Sequence, residues 1–99
     1  MLDWDDLRFV LAVARTGSAL RAARGLGVNQ TTVMRRMARI EEAAGADVFE
    51  RKQSGYHLTA LGQRIAATAA RVEDEVKALE SAIDAEQRML SGHSPEDSQ

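Results

Sequence analysis

Apolar residues recur at the spacing of a helix face from the start of the chain, and the first such pattern covers residues 4–15. The positions that share this face are Leu7, Val10, Leu11 and Ala14. Acidic residues occupy the first turn, where the helix dipole favours negative charge. Gly17 is suited to end this helix in a left-handed conformation, and the pattern therefore predicts one amphipathic helix before it.

Two further helices follow, joined by a tight turn at Gly27 and Val28. Ser18 is a suitable N-cap for the first of them, in which the inward positions are Ala22, Ala23 and Leu26 and the outward ones are Arg21 and Arg24. Asn29 can cap the other, over residues 30–44, whose apolar stripe consists of Val33, Met37, Ile40 and Ala44. Two helices joined by a short turn that contains glycine predict a helix-turn-helix.

The opposite side of this third helix is polar and cationic. Its members are Thr31, Thr32, Arg35 and Arg39, with Arg36 on the flank and Gln30 near the edge in the first turn. The helix is therefore expected to bury its aliphatic stripe against the first two helices and to present hydroxyl, amide and guanidinium groups outward.

The hydrophobic period changes after Gly45, where two short β-prone runs, VFER and YHL, flank the turn signal QSG. They predict a hairpin, or wing, over residues 48–58, anchored by Phe49, Tyr56 and Leu58. Thr59 can then cap a long helix that runs to about Leu90. The predicted fold class is mainly α: a winged helix-turn-helix of three helices and a two-stranded wing, followed by a long linker helix.

This pattern divides the chain into a winged helix-turn-helix domain (residues 1–58), a linker helix (residues 59–90) and a polar tail (residues 91–99) that is expected to be disordered. Apolar residues alternate steps of four and three along the linker helix. They are Ile65, Ala69, Val72, Val76, Leu79, Ile83 and Leu90, with Glu86 as the charged exception. Such a seam favours a homodimer through the linker helix, with a tetramer possible, although it could also pack on its own domain.

Charge is distributed unevenly, which the formal net charge of −2 conceals. Residues 1–71 carry eleven Lys/Arg and seven Asp/Glu, a balance of +4, whereas residues 72–99 carry two and eight, a balance of −6. This asymmetry suggests a cationic face toward an anionic partner, although surface charges also cluster by chance.

Several functional classes are disfavoured by composition. The chain has no cysteine, so that disulfides and thiolate metal sites are excluded and neither a metal nor another cofactor is expected. No apolar run approaches the roughly 20 residues that span a bilayer, and we expect no membrane partner and a cytoplasmic location. His57 and His93 have no acid or nucleophile arranged with them, and the chain is not expected to be an enzyme.

The stretch from LRFVLAVARTGS through QTTVMRRMARIEEAAG to VFERKQSGYHLTALGQ resembles the amino-terminal domain of LysR-type transcriptional regulators. This resemblance implies that the third helix enters the major groove of DNA, that the wing approaches the minor groove, and that the linker helices pair between subunits. Members of this family usually carry a second, effector-binding domain after the linker. A small-molecule effector is therefore expected only if such a domain exists.

Within this interpretation, each polar side chain has an expected DNA contact. Gln30 can pair with adenine, Arg35 can donate two hydrogen bonds to guanine, and Thr31 or Thr32 can contact a thymine methyl group. The phosphate candidates are Arg36, Arg39, Arg21 and Lys52. Arg36 and Arg39 could instead form ion pairs with Asp47 or Glu42 on a solvated face.

Four positions depart from the family pattern, of which Ile40 in place of the usual leucine is a mild change. The wing has Ser54, itself counted among the expected DNA-binding residues, where the family commonly has an arginine, which leaves Lys52 as the nearest cationic substitute near the minor groove. Thr31 and Met34 also replace the usual residues, so the base preference of relatives does not transfer.

The sequence predicts sequence-specific binding of double-stranded DNA by a dimeric bacterial transcriptional regulator. The alternative is a stand-alone interaction module that pairs with a related regulator and does not itself read DNA.

Overall fold

The computed structural model describes residues 1–91, and the predicted tail from residue 92 onward lies outside the described residues. The elements are α1 (Trp4–Thr16), α2 (Ala19–Leu26), α3 (Gln30–Ala44), β1 (Phe49–Lys52), β2 (Gly55–Leu58) and α4 (Ala60–Ser91). The two strands pair antiparallel, with Phe49 opposite Leu58 and Lys52 opposite Gly55. The predicted fold class, a winged helix-turn-helix with a long linker helix, is confirmed.

The first three helices begin at side chains that accept hydrogen bonds from their first turns. Ser18 Oγ accepts from the Arg21 N–H at 3.1 Å, and Asn29 Oδ1 accepts from the Thr32 N–H at 2.8 Å. Both caps were predicted from the sequence. α1 also has a reciprocal capping box in which Asp3 and Asp6 each accept from the backbone of the other. These caps fix where each helix begins and thus which side chains lie in its first turn.

The core lies where α1, α2 and α3 meet, and the predicted faces of α2 and α3 are the ones that are buried. Its buried members are Phe9, Val10, Val13, Ala19, Ala22, Ala23, Val33, Met37, Ile40, Val48 and Phe49. On α1 the prediction was partly wrong, because Ala14 is exposed and the buried face instead includes Asp6. The buried face of α1 is centred on Phe9, Val10 and Val13, which share a helix face with Asp6.

The wing is attached to the helical body through backbone and carboxylate hydrogen bonds. The Tyr56 N–H donates to the carbonyl oxygen of Gly17 at 2.9 Å, which joins β2 to the end of α1. The carboxylate of Glu41 accepts from the N–H groups of Val48 and Phe49, at 3.0 and 3.1 Å. The hairpin, which alone would be marginal, therefore takes its position from α1 and α3.

The helix α4 has two differently covered parts. Ala69 is fully buried against its own chain, Ile65 packs on the core, and the carboxylate of Glu73 accepts two hydrogen bonds from Arg15. Further along, the seam residues are exposed: Val76, Leu79, Ile83 and Leu90 at 38%, 60%, 46% and 77%.

This distribution differs from the expectation that the whole seam faces another subunit. Ala69 is covered within its own chain, because the first turns of α4 lie along α1. A heptad pattern indicates that one face of a helix is covered, but it does not show whether a partner subunit or the helix's own domain covers that face. The exposed half of the seam begins at Val76.

Replacing Gly55 by alanine is expected to lower the free energy of unfolding. Gly55 has a φ of 124°, and an added Cβ would lie 2.5 Å from the carbonyl oxygen of Gly17. The backbone conformation alone should cost on the order of 1–3 kcal/mol, before any clash. The matched control is Gly25→Ala, at an open helical position where alanine should stabilise by about 1 kcal/mol. Urea titration measures both, and equal stability changes would contradict this account of the wing.

Candidate nucleic-acid interface

The polar side chains predicted on α3 lie in two groups, one free toward solvent and one held within the chain. Gln30, Thr31 and Arg35 are exposed in the first turn and a half of the helix. Thr32 is half-buried, and its N–H and its hydroxyl both donate to Asn29 Oδ1, at 2.8 and 2.9 Å. The hydroxyl proton of Thr32 thus belongs to the helix cap, whereas its neighbours keep their polar groups free.

A polar groove of about 380 Å³ separates this first turn from the wing. It is lined by the beginning of α2, by Gln30 and by the hairpin turn. The structure thereby brings together three predicted residues, Arg21, Gln30 and Ser54, which lie far apart in the sequence. Lys52, also predicted, is exposed at the end of β1 and lies outside this lining.

Arg51 lines the same groove and was missed by the sequence analysis. Its Nη1 donates to the phenolic oxygen of Tyr56 at 3.1 Å, and its guanidinium carbon lies 4.9 Å from the centre of that ring. The two residues are opposite each other in the hairpin register, which fixes the guanidinium beside the groove. Knowledge of the strand register would have identified the pair of Arg51 and Tyr56. The two short β-prone runs, however, do not determine which of their residues lie opposite each other.

On the other side of the wing turn, the hydroxyl of Ser54 shares a hydrogen bond of 2.8 Å with Nε2 of His57. Glu50 lies opposite His57 in the strand register. Ser54 lies in the groove lining, with its hydroxyl oriented by a neighbouring side chain.

Arg36 and Arg39 lie beside α1, and their common partner is the carboxylate of Asp6. Arg36 Nη1 donates to Asp6 Oδ1 at 3.0 Å, and Arg39 Nη1 lies 3.6 Å from the same oxygen. The guanidinium carbon of Arg36 is also 4.7 Å from the centre of the Phe9 ring. The alternative pairing with Asp47 or Glu42 was wrong about the partner. Asp6 was overlooked because acids in a first turn were explained by the helix dipole alone.

These contacts leave the two arginines with different freedom. The side chain of Arg36 is 24% exposed and that of Arg39 is 56% exposed. Arg36 is held between a buried charge and an aromatic ring, whereas most of the Arg39 guanidinium faces solvent. Arg36 thus positions α3 against α1, whatever else it contacts.

The pKa of Asp6 lies below its ordinary value of 3.8, although burial by itself would raise it. The hydrogen bond from the Asp3 N–H, the hydrogen bond from Arg36 and the positive charges of Arg39 and Arg36 together outweigh the burial. Asp6, at 1% exposed, is therefore a buried carboxylate that stays ionised.

Residues 1–91 hold neither a cluster of metal ligands nor a membrane-spanning helix. No group of three or more His, Cys, Asp or Glu side chains in this part of the chain is placed to hold a metal ion. None of its helices is both long enough and apolar enough to cross a membrane.

The arrangement of α2, α3 and the hairpin defines a winged helix-turn-helix protein. Comparison with known families gives the more specific result: residues 4–63 match the family described as "Bacterial regulatory helix-turn-helix protein, lysR family". The chain belongs to the LysR family.

Curated relatives agree with this family. The chain is 38% identical over 89 residues to a small neutral protease regulatory protein of Streptomyces coelicolor, covering 90% of this chain and 28% of that protein. It is 49% identical over 49 residues to the Mau operon transcriptional activator of Paracoccus denitrificans, covering 50% of this chain and 17% of the relative. The matched proteins are regulators, so the prediction of a non-enzymatic domain is confirmed. The chain spans less than a third of their length.

Solved structures show the same architecture. The CbnR_DBD–DNA complex is 29% identical with a TM-score of 0.73, covering 88% of this chain and 100% of that one. CbnR, a LysR family transcriptional regulator, is 28% identical with a TM-score of 0.70 over 88% of this chain and 29% of that one. The BenM_DBD/benA site 1 DNA complex, 24% identical with a TM-score of 0.76 over 85% and 98% of the two chains, shares the fold.

Replacing Asp6 by asparagine should lower the free energy of unfolding by about 1.5–3 kcal/mol, the usual contribution of hydrogen bonds to a charged group. The pH dependence of stability should change as well. Because the folded pKa is depressed, the contribution of Asp6 is fully present above the unfolded pKa of 3.8 and is lost as the pH falls through the folded pKa.

Urea titrations between neutral pH and pH 3 measure this effect, with Asp5→Asn as the control. Asp5 is a half-exposed acid in the same turn, and its ion pairs should contribute at most about 1 kcal/mol. The stability loss of Asp6→Asn should shrink toward pH 3, and a loss of the same size at every pH would contradict the role of the charge.

Proposed function

We propose that this chain binds double-stranded DNA in a sequence-specific manner, as the DNA-binding domain of a dimeric bacterial transcriptional regulator. α3 enters the major groove and the wing approaches the minor groove. The observation that carries this proposal is the free first turn of α3 beside a polar groove lined by two arginines, Arg21 and Arg51. The likeness to the CbnR_DBD–DNA complex supports the same ligand. Because bacterial DNA lies in the cytoplasm, the proposal places the chain there.

Base contacts belong to the first turns of α3, because side chains at the N-terminal end of such a helix reach the base edges. Gln30 can bind the edge of adenine and Arg35 can donate two hydrogen bonds to guanine. Thr31 has both its hydroxyl and its methyl free. Thr32 offers its methyl group to a thymine, since its hydroxyl proton is held by Asn29.

Phosphate contacts belong to the cations around this helix. Arg21, Arg39 and Lys52 are exposed, and Ser54 adds a hydroxyl from the wing. Arg51 joins them, because Tyr56 holds its guanidinium beside the groove. Arg36 contacts a phosphate only with the part of its guanidinium that Asp6 leaves free, and its main contribution is to position α3. The surplus of basic residues before residue 72 supplies the non-specific part of the affinity.

Dimerisation belongs to the exposed half of α4. The large apolar side chains there are exposed to solvent in the single chain and would be buried between two copies. They are Val76, Leu79, Ile83 and Leu90, which continue from the half-buried Val72. Ile65 and Ala69 support the same contact indirectly, because they hold the start of α4 on the body. A two-fold dimer would bind a pseudo-palindromic site with half-sites separated by whole turns of DNA.

Replacing Arg35 by alanine is expected to relax base selection. A DNA sequence selected from a random duplex library by the wild-type chain should lose about 1–3 kcal/mol of its advantage over unselected duplex, because one two-bonded contact to guanine is removed. Arg21→Ala should instead weaken both duplexes alike and flatten the log–log salt dependence by about one unit.

Arg64→Ala is the control for loss of a positive charge, because Arg64 lies on α4 beside Leu7, away from the polar groove. Fluorescence anisotropy at several salt concentrations measures all four proteins. An unchanged preference in Arg35→Ala would contradict its role. A wild-type chain that retains no duplex at low salt would favour the interaction module instead.

Replacing Leu79 by lysine should convert the dimer into a monomer, because two charges would be buried at the contact between paired helices. Ala78→Lys adds the same charge to the neighbouring exposed position, which lies about 100° away around the helix and off the seam. Sedimentation equilibrium measures the assembly of each. A dimer that survives Leu79→Lys would show that the subunits meet elsewhere.

A further inference from the structure

Met34 is an exposed apolar side chain of α3 at the edge between its buried stripe and its polar side, the same edge as Gln30. It is 44% exposed, and the other exposed large apolar residues outside α4, among residues 1–91, are Met1, Leu20 and Val28. Its neighbours Thr31 and Arg35 are the free polar residues of this helix. A large apolar group so placed needs either a cover from elsewhere in the chain or an apolar partner in the ligand.

The chain itself covers Met34 only in part. The residue lies at the edge of a groove of about 280 Å³ between α3 and the wing, whose apolar lining includes Met37, Ala38 and Phe49. Met37 closes the bottom of this groove at 6% exposed and belongs to the core, whereas Met34 remains open to solvent. Met34 therefore does not complete the core, and its exposed surface is available on the face that the proposed function turns toward DNA.

We propose that Met34 is a specificity-determining residue that contacts the 5-methyl group of a thymine in the major groove. This inference rests on the proposed DNA-binding function. Among the groups that the four bases present in the major groove, the methyl group of thymine is the apolar one. The unbranched, polarisable side chain of methionine can adapt to it with little strain.

The position of Met34 also indicates where this thymine lies. Met34 follows Gln30 by four residues on the same side of the helix, a distance of about 6 Å along the axis. That distance equals about two base-pair steps. The thymine therefore lies within about two base pairs of the base that Gln30 contacts.

The test removes one methyl group at a time from DNA. The wild-type chain first selects its preferred duplex from a random library, and each thymine of that sequence is then replaced by deoxyuridine, which pairs identically but lacks the methyl group. At the thymine that Met34 contacts, which is distinct from any thymine contacted by Thr32, the replacement should weaken wild-type binding about fourfold, the effect of losing one buried methyl group. Met34→Ser should lose the preference at that thymine alone, binding its thymine and deoxyuridine duplexes equally, and Met34→Leu should keep the preference.

Two further measurements make the outcome decisive. Met89→Ser removes an exposed methionine at the far end of α4 and should leave the thymine preference unchanged. Thermal unfolding should give the same midpoint for Met34→Ser as for the wild type, because the side chain is outside the core.

A wild-type chain that is indifferent to every replacement, or a Met34→Ser variant with the same preference as the wild type, would overturn the inference while leaving DNA binding intact. A chain that enriches no sequence at all would overturn the proposed function and this inference with it.

Discussion

The carboxylate of Asp6 is the group on which the position of α3 depends. It accepts one hydrogen bond from the Asp3 N–H, within the cap of α1, and another from the guanidinium of Arg36 on α3. Both contacts favour the charged form, and they keep it charged at 1% exposure, where a carboxylate without partners would take up a proton. The same charge thus starts one helix and orients another. A neutral isostere could fill the space without fixing the rotation of α3 about its own axis.

That rotation decides which side chains α3 offers to a ligand. With Arg36 held against Phe9, the next residues around the helix, Arg35 and Arg39, turn outward. The ion pair of Arg36 within the domain therefore orients α3 so that the guanidinium groups of Arg35 and Arg39 are exposed. Counting positive charges on a helix overestimates those available for binding, and the exposed fraction of each guanidinium corrects the count.

Local patterns in the sequence predicted the helices, their caps and the inward face of α3, because each depends on residues within one or two turns. Ser18 and Asn29 precede amphipathic runs, and Val33, Met37 and Ile40 recur at helical spacing. Features that depend on two distant segments were not predicted. The pair of Asp6 and Arg36 spans thirty residues, and its only local sign is that Asp6 shares a helix face with buried apolar residues.

The same reason explains the other differences. Arg51 lies in the groove because of its cross-strand partner Tyr56, which depends on a register that the two short runs did not specify. Ala69 repeats at heptad spacing like Val76, but only contacts with α1 determine that one is covered by its own chain and the other is exposed. Hydrophobic periodicity predicts which face of a helix or strand is covered, but it does not predict which part of the protein covers it.

The continuity of α4 has a mechanical consequence. Its 32 residues form one uninterrupted helix about 48 Å long, held on the body at one end by Ala69 and by the hydrogen bonds between Arg15 and Glu73. From Val76 onward its large apolar side chains are exposed. Such a helix can transmit a rotation at one end to the domain at its other end. If a partner contacted the exposed end of α4 one residue further along, the winged helix-turn-helix domain would rotate by about 100° around the helix axis relative to that partner. A small change far from α3 would thus become a large reorientation of the surface around α3.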